Sequence, residues 1–102
     1  MFIYALATKS DLEVNRLKIG ESEEMDGVEE RRKEFDKTHE VLYTRAIWDV
    51  SECSKGADKL VHKVLEGRSL RGGNYEWFGN VTIEEVDSII HKLFGNKVVK
   101  VK

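Results

Sequence analysis

Proline is missing altogether from the 102 residues, there is one cysteine, Cys53, and the eight glycines are dispersed. Without a Pro-, Gly- or Ser-rich stretch, the chain offers no linker, repeat or low-complexity segment, and its length suits one domain over residues 1–102. A lone cysteine has no internal bridging partner, which points to a reducing, intracellular setting, cytoplasmic or close to nucleic acid in a nucleoid or nucleus. Long apolar runs are lacking as well. The longest, Met1–Ala7, falls far short of the roughly 20 residues of a membrane-spanning helix, and it lacks the basic flank of a secretory signal. The sequence therefore predicts neither a span nor secretion. Nor is there a strong excess of either charge: 17 Lys and Arg stand against 19 Asp and Glu, a net charge of −2. That balance excludes a dedicated nucleic-acid coat, but not an enzyme that meets nucleic acid at one basic cleft.

The charge that is present is unevenly spread. Residues 10–40 carry 11 acids and 6 bases, whereas the rest carries 11 bases and 8 acids. From His91 onward there are four lysines, Lys92, Lys97, Lys100 and Lys102, and no acid. Such a tail either touches phosphate or keeps an end solvated.

Periodicity divides the chain into alternating elements. Phe2–Ala7 and the alternation Val14–Ile19, separated by polar residues 8–13, predict a β-hairpin whose second strand ends at Gly20. Asp26 with Glu29 predicts the start of a helix carrying Met25, Val28, Arg32 and Phe35 on one stripe. A third strand is expected from Val41 to Val50, then a helix from Ser54 with Ala57, Leu60, Val61, Val64 and Leu65 as its apolar stripe, ended by Gly67. Arg68–Tyr75 reads as a Gly-rich loop and Glu76-Trp77-Phe78 as a short strand or turn. Thr82 with Glu85 forms a capping box for a last helix bearing Ile83, Val86, Ile89, Ile90 and Leu93, stopped at Gly95. Val98, Val99 and Val101 suit a terminal strand. The fold class expected is α/β, a small central antiparallel sheet flanked by three helices.

Four pieces of this pattern belong together: Phe2-Ile3-Tyr4 in the first strand, Lys18-Ile19-Gly20 at the end of the second, Arg31-Arg32 in the first helix, and Asp58 with His62 in the second. Followed by Glu76-Trp77-Phe78, they resemble the GIY-YIG endonuclease superfamily, most closely its short phage- and virus-associated branch with lysine in the second motif. The resemblance runs from residue 1 to about residue 90. It implies a GIY-YIG-like fold, DNA as partner, and hydrolysis of phosphodiester bonds with Mg²⁺ or Mn²⁺ as cofactor.

That chemistry needs an activated water, a cation over the developing charge, and help for the leaving oxygen. The resemblance implies Tyr4 as the group that orients or deprotonates the water; as a base near neutral pH a phenol needs adjacent positive charge. Hairpin pairing would bring Lys18 to it. A guanidinium can clamp two non-bridging phosphate oxygens, and the family pattern fits Arg31 better than Arg32, while either can also simply pair with Glu29, Glu30 or Glu34. Asp58 stands where the superfamily usually has a metal-binding glutamate, one methylene longer. His62, four residues on, either positions water or phosphate or fills a gap. Glu76 is a second carboxylate for the site. Arg68 and Arg71 precede Gly72-Gly73 in a rim expected to contact DNA, as Lys97, Lys100 and Lys102 do if the tail binds phosphate. His39, His91 and Cys53 have no partners at ligand or nucleophile spacing and read as structural.

No second DNA-binding domain is evident, so any specificity would come from loops, a homodimer or a partner chain. Two readings of different class stand: a metal-dependent DNA endonuclease, or a GIY-YIG-like module with weakened catalysis that binds nucleic acid or protein, which the shorter Asp58 and the acidic segment allow.

Overall fold

A computed structural model of the chain describes residues 1–35, 41–50, 56–70 and 76–102. Its elements are β1 (Phe2–Ala7), α1 (Lys9–Glu13), β2 (Leu17–Ser22), α2 (Met25–Phe35), β3 (Tyr43–Asp49), α3 (Ala57–Val64), β4 (Trp77–Phe78), α4 (Ile83–Phe94) and β5 (Val99–Lys100). The strands form one antiparallel sheet in the order β4-β2-β1-β3-β5. This is the expected α/β architecture, with four α-helices among the described residues instead of three.

The additional helix is α1, where the sequence predicts a polar hairpin connection. Thr8 Oγ1 accepts from the Asp11 N–H at 3.0 Å and the Asp11 carboxylate accepts from the Thr8 N–H at 3.1 Å, a reciprocal cap that closes one helical turn. Because that turn takes up residues 9–13, β2 begins at Leu17 and runs on to Ser22, past the predicted stop at Gly20. The pairing itself is as expected, with Tyr4 opposite Gly20 and Leu6 opposite Lys18. Gly20 is needed inside the strand: a Cβ there would lie 2.4 Å from the Tyr4 hydroxyl oxygen. The Tyr4 ring thus lies across β2 only because position 20 has no side chain.

The sheet is covered on both faces. Ile3, Leu17, Ile19, Trp48, Val61 and Ile90 belong to the larger apolar cluster, between the sheet and α3 and α4. Tyr4, Leu6, Val28, Leu42 and Ile47 form a smaller one, to which α2 contributes Val28. Of the predicted α2 stripe, Val28 is buried, Arg32 half-buried and Met25 exposed; the Phe35 side chain lies outside the described residues. The third strand is shorter than Val41–Val50, and burial is confined to its second half.

The rotation of α3 differs from the predicted stripe and matters most for the site. Leu60 and Val64 are 49% and 52% exposed, whereas Asp58 is only 7% exposed. The helix turns Ala57, Asp58, Val61 and Leu65 inward, and a carboxylate from β2 pins its first turn: Glu21 accepts from the Gly56 N–H at 2.9 Å and the Asp58 N–H at 3.4 Å. Asp58 therefore sits within the buried face. Ser54, the predicted start of this helix, lies outside the described residues.

In α4, Thr82 Oγ1 accepts from the Glu85 N–H at 3.2 Å, while the Glu85 carboxylate turns away from the cap to meet Arg68. The predicted box is thus made on one side. Val86 and Ile90 are buried, Leu93 is exposed, and Gly95 ends the helix at φ 81°. The terminal strand pairs with β3 as expected. Among the described residues no helix is long and apolar enough to cross a membrane.

Candidate active site

The ladder between β2 and β4 leaves one end of β2 to other partners. β4 pairs with Leu17 and Lys18, and the Ile19 N–H still reaches the Glu76 carbonyl at 2.8 Å. The Ile19 carbonyl, on the same side of the strand, accepts from His62 Nε2 at 2.7 Å. A carbonyl only accepts, so Nε2 carries the hydrogen. His62 thereby takes the hydrogen-bonding place that another residue of β4 would fill, and its ring packs 5.2 Å from that of Phe78.

Around this end of β2 the structure brings charged groups from both faces of the sheet. Lys18 is completely buried, its Nζ 2.7 Å from Glu76 Oε2 and 5.8 Å from the Trp77 ring centroid. On the α3 side, Asp58 Oδ2 stands 3.9 Å from His62 Nε2. Burial pushes the Asp58 carboxyl above its ordinary value, and the negative charges of Glu21 and Glu76 push it further, opposed by His62 and the Lys59 backbone N–H. On the α2 side, burial raises the Tyr4 hydroxyl well above the usual tyrosine range. Glu76, Asp58 and Glu34 add to the rise and Arg31 opposes it. Arg31, Asp58 and Glu76 are thus each within electrostatic reach of Tyr4.

Lys18 pairs with Glu76, and burial, the largest influence on Tyr4, favours the neutral phenol. A neutral Tyr4 hydroxyl can both donate to and accept from a water.

The two arginines separate clearly. Arg32 is tied into the fold: its Nε and NH2 bond Glu29 at 2.9 and 2.5 Å, and its NH1 donates to the Leu42 carbonyl at 3.0 Å, joining α2 to the segment before β3. Arg31 is half exposed, pairs loosely with Glu34 at 3.6 Å, and borders a cavity of about 240 Å³ shared with Met1, Glu21, Ser22 and Glu23. Arg68 is committed elsewhere, making two 2.6 Å bonds to Glu85 and one of 3.0 Å to the Asn80 carbonyl. Lys97, Lys100 and Lys102 lie at the β5 edge, four strand spacings or about 19 Å from β4. Arg71, Gly72-Gly73, His39 and Cys53 lie outside the described residues. His91 bonds back within α4, Nδ1 lying 2.9 Å from the Asp87 carbonyl.

One residue of this cluster escapes the sequence reading. Glu21 follows Leu17 and Ile19 on the inward alternation of β2, and a carboxylate at the third position of that series was the available signal. Ending the strand at Gly20 concealed it.

The donor set can be tested against a divalent cation. Among the described residues no group of three or more His, Cys, Asp or Glu side chains forms a ready-made cage. What is present is one buried carboxylate, Asp58, crowded by two others and held toward its neutral form. That suits a hard cation bound by one carboxylate plus water and substrate oxygens, because the ion would relieve the excess negative charge.

Fold and site together define a small α/β module with a carboxylate cluster at the end of an inner strand. The T5orf172 domain matches residues 1–94, and the chain belongs to that family, a domain of nuclease-like proteins of phages and bacteria. No curated protein and no solved structure matches the chain.

Proposed function

We propose that the protein is a divalent-metal-dependent endonuclease of GIY-YIG type that hydrolyses DNA phosphodiester bonds. The observation that carries the reading is the buried Asp58 carboxylate beside His62, on a helix turn pinned by Glu21, in a chain whose family is nuclease-like. A Mg²⁺ or Mn²⁺ ion held by Asp58, with Glu76 beside it, would supply Lewis-acid charge at the scissile phosphate. Arg31, loosely paired and half exposed, binds non-bridging oxygens and stabilises the charge that grows on them. The Tyr4 hydroxyl orients the attacking water. Lys18 fixes the Glu76 carboxylate, and His62, hydrogen-bonded to β2, fixes the edge of the site beside Asp58.

The experiment is nicking of supercoiled plasmid by the purified protein. Nicked and then linear product in Mg²⁺ or Mn²⁺, abolished by chelator, supports the enzyme. The second reading, a module that binds nucleic acid or protein with little catalysis, draws on the engagement of Lys18 by Glu76 and the raised Tyr4 hydroxyl. It is favoured by DNA binding without product in either metal across a broad pH range.

A further inference from the structure

Arg68 is held by Glu85, and the lysine tail lies across the sheet from Asp58. A different set borders the site directly. Lys59, His62, Lys63 and Glu66 recur at i, i+3, i+4 and i+7 along α3 and the turn after it, one helical stripe. With Ser69 and Phe78 they line an open cavity of about 580 Å³. Lys59 and Lys63 are exposed, and neither has a carboxylate partner among the described residues. One helical turn separates them, about 6 Å along the axis. The cavity shares His62 with the candidate site, and Asp58 precedes Lys59 in the same turn. A strand whose phosphodiester reached Asp58 would meet these two ammonium groups next, and Glu66 marks the far limit of the cationic stretch.

We infer that the Lys59–Lys63 face of α3 is a second phosphate-binding subsite, which holds the DNA backbone beside the bond presented to Asp58. The inference rests on DNA being the partner, but not on cleavage. Two cations that replace condensed counterions contribute affinity to all sequences alike and a salt dependence of about two phosphate contacts.

The test is binding of a 20-base-pair duplex by the full chain at several salt concentrations. The Lys59→Ala/Lys63→Ala variant should bind about tenfold more weakly at 0.1 M salt, with its log–log salt slope reduced by about two. The Lys59→Arg/Lys63→Arg variant, which keeps the charge, should retain both. Circular dichroism of the alanine variant should match the parent, since both side chains are exposed. Unchanged affinity and slope in the alanine variant would overturn the inference while leaving plasmid nicking, and hence the nuclease reading, intact. Loss of affinity in that variant from a parent that binds but never nicks would uphold the inference and sink the nuclease reading. A parent that binds no duplex overturns the subsite outright.

Discussion

Trp48 on β3 and Lys18 on β2 are both completely buried, and each hydrogen-bonds a partly exposed carboxylate, Asp87 at 2.8 Å and Glu76 at 2.7 Å. The two bonds are alike in length and opposite in energetic meaning. The indole carries a large apolar surface into the core, and its N–H needs only one partner to make that burial favourable. The ammonium brings little apolar area and a desolvation penalty of several kcal/mol, which the Glu76 ion pair and the nearby Trp77 ring help to offset. The Trp48 side of the sheet is thus built for stability. Around β2, by contrast, Lys18 and Asp58 are buried against the preference of isolated charges for water. An arrangement that works against folding is expected where a ligand of opposite charge is to be received.

The comparison can be broken most forcefully at the ion pair. Glu76→Ala leaves a buried ammonium without its carboxylate and should cost about 2 to 4 kcal/mol in urea unfolding, toward the lower part of the range for broken buried pairs because Glu76 keeps some exposure. Replacing both residues, Lys18→Met with Glu76→Gln, should recover most of that loss while plasmid nicking stays absent. Recovery of nicking with stability would mean the pair is structural alone.

Next in size is the contrast within α2. Arg32→Ala should cost about 1 to 2 kcal/mol, since the Leu42 carbonyl and Glu29 lose a charged donor. Arg31→Ala should change stability by less than about 0.5 kcal/mol, yet slow nicking by about 100-fold with a smaller change in DNA affinity. Inverted effects would exchange the roles of the two residues. Smaller again is Thr8→Ala, which removes the cap of α1 far from the site. It should lower stability by about 1 kcal/mol and leave the metal dependence of nicking unchanged. The smallest effect is expected from Lys97→Ala/Lys100→Ala/Lys102→Ala, at the opposite edge, which should weaken duplex binding about threefold or less.

The ease with which these regions could be read from sequence follows the same division. The sheet, its antiparallel pairing and α4 were legible because apolar periodicity and a Thr cap are local signals. Leu17, Ile19, Val86 and Ile90 face where their spacing directs them. The reading went astray where a polar residue was recruited from far away. The first turn of α3 is held by Glu21, some 35 residues earlier, so Asp58 turns inward and Leu60 outward against the hydrophobic ranking. In α1 the reciprocal Thr8–Asp11 cap made a helix out of five residues with no buried member. At the site, the types and order of Tyr4, Lys18, Arg31, Asp58 and Glu76 were visible. That Lys18 would bind Glu76 was not, because it depends on how far β4 pairs along β2.

On the proposed reading Asp58 is buried for a cation and not for the fold. Its carboxyl is raised in the folded state, so folding favours the protonated form. The stability it permits is greatest at low pH and falls as pH climbs from the ordinary carboxylate range through the raised value. Asp58→Asn removes that burden, keeps the shape, and discards the cation ligand. Measured side by side at pH 7 in Mg²⁺, this variant should melt at or above the parent temperature while nicking plasmid at least about 100-fold more slowly. An Asp58→Asn protein that nicks as fast as the parent, or that loses stability along with activity, would contradict the account.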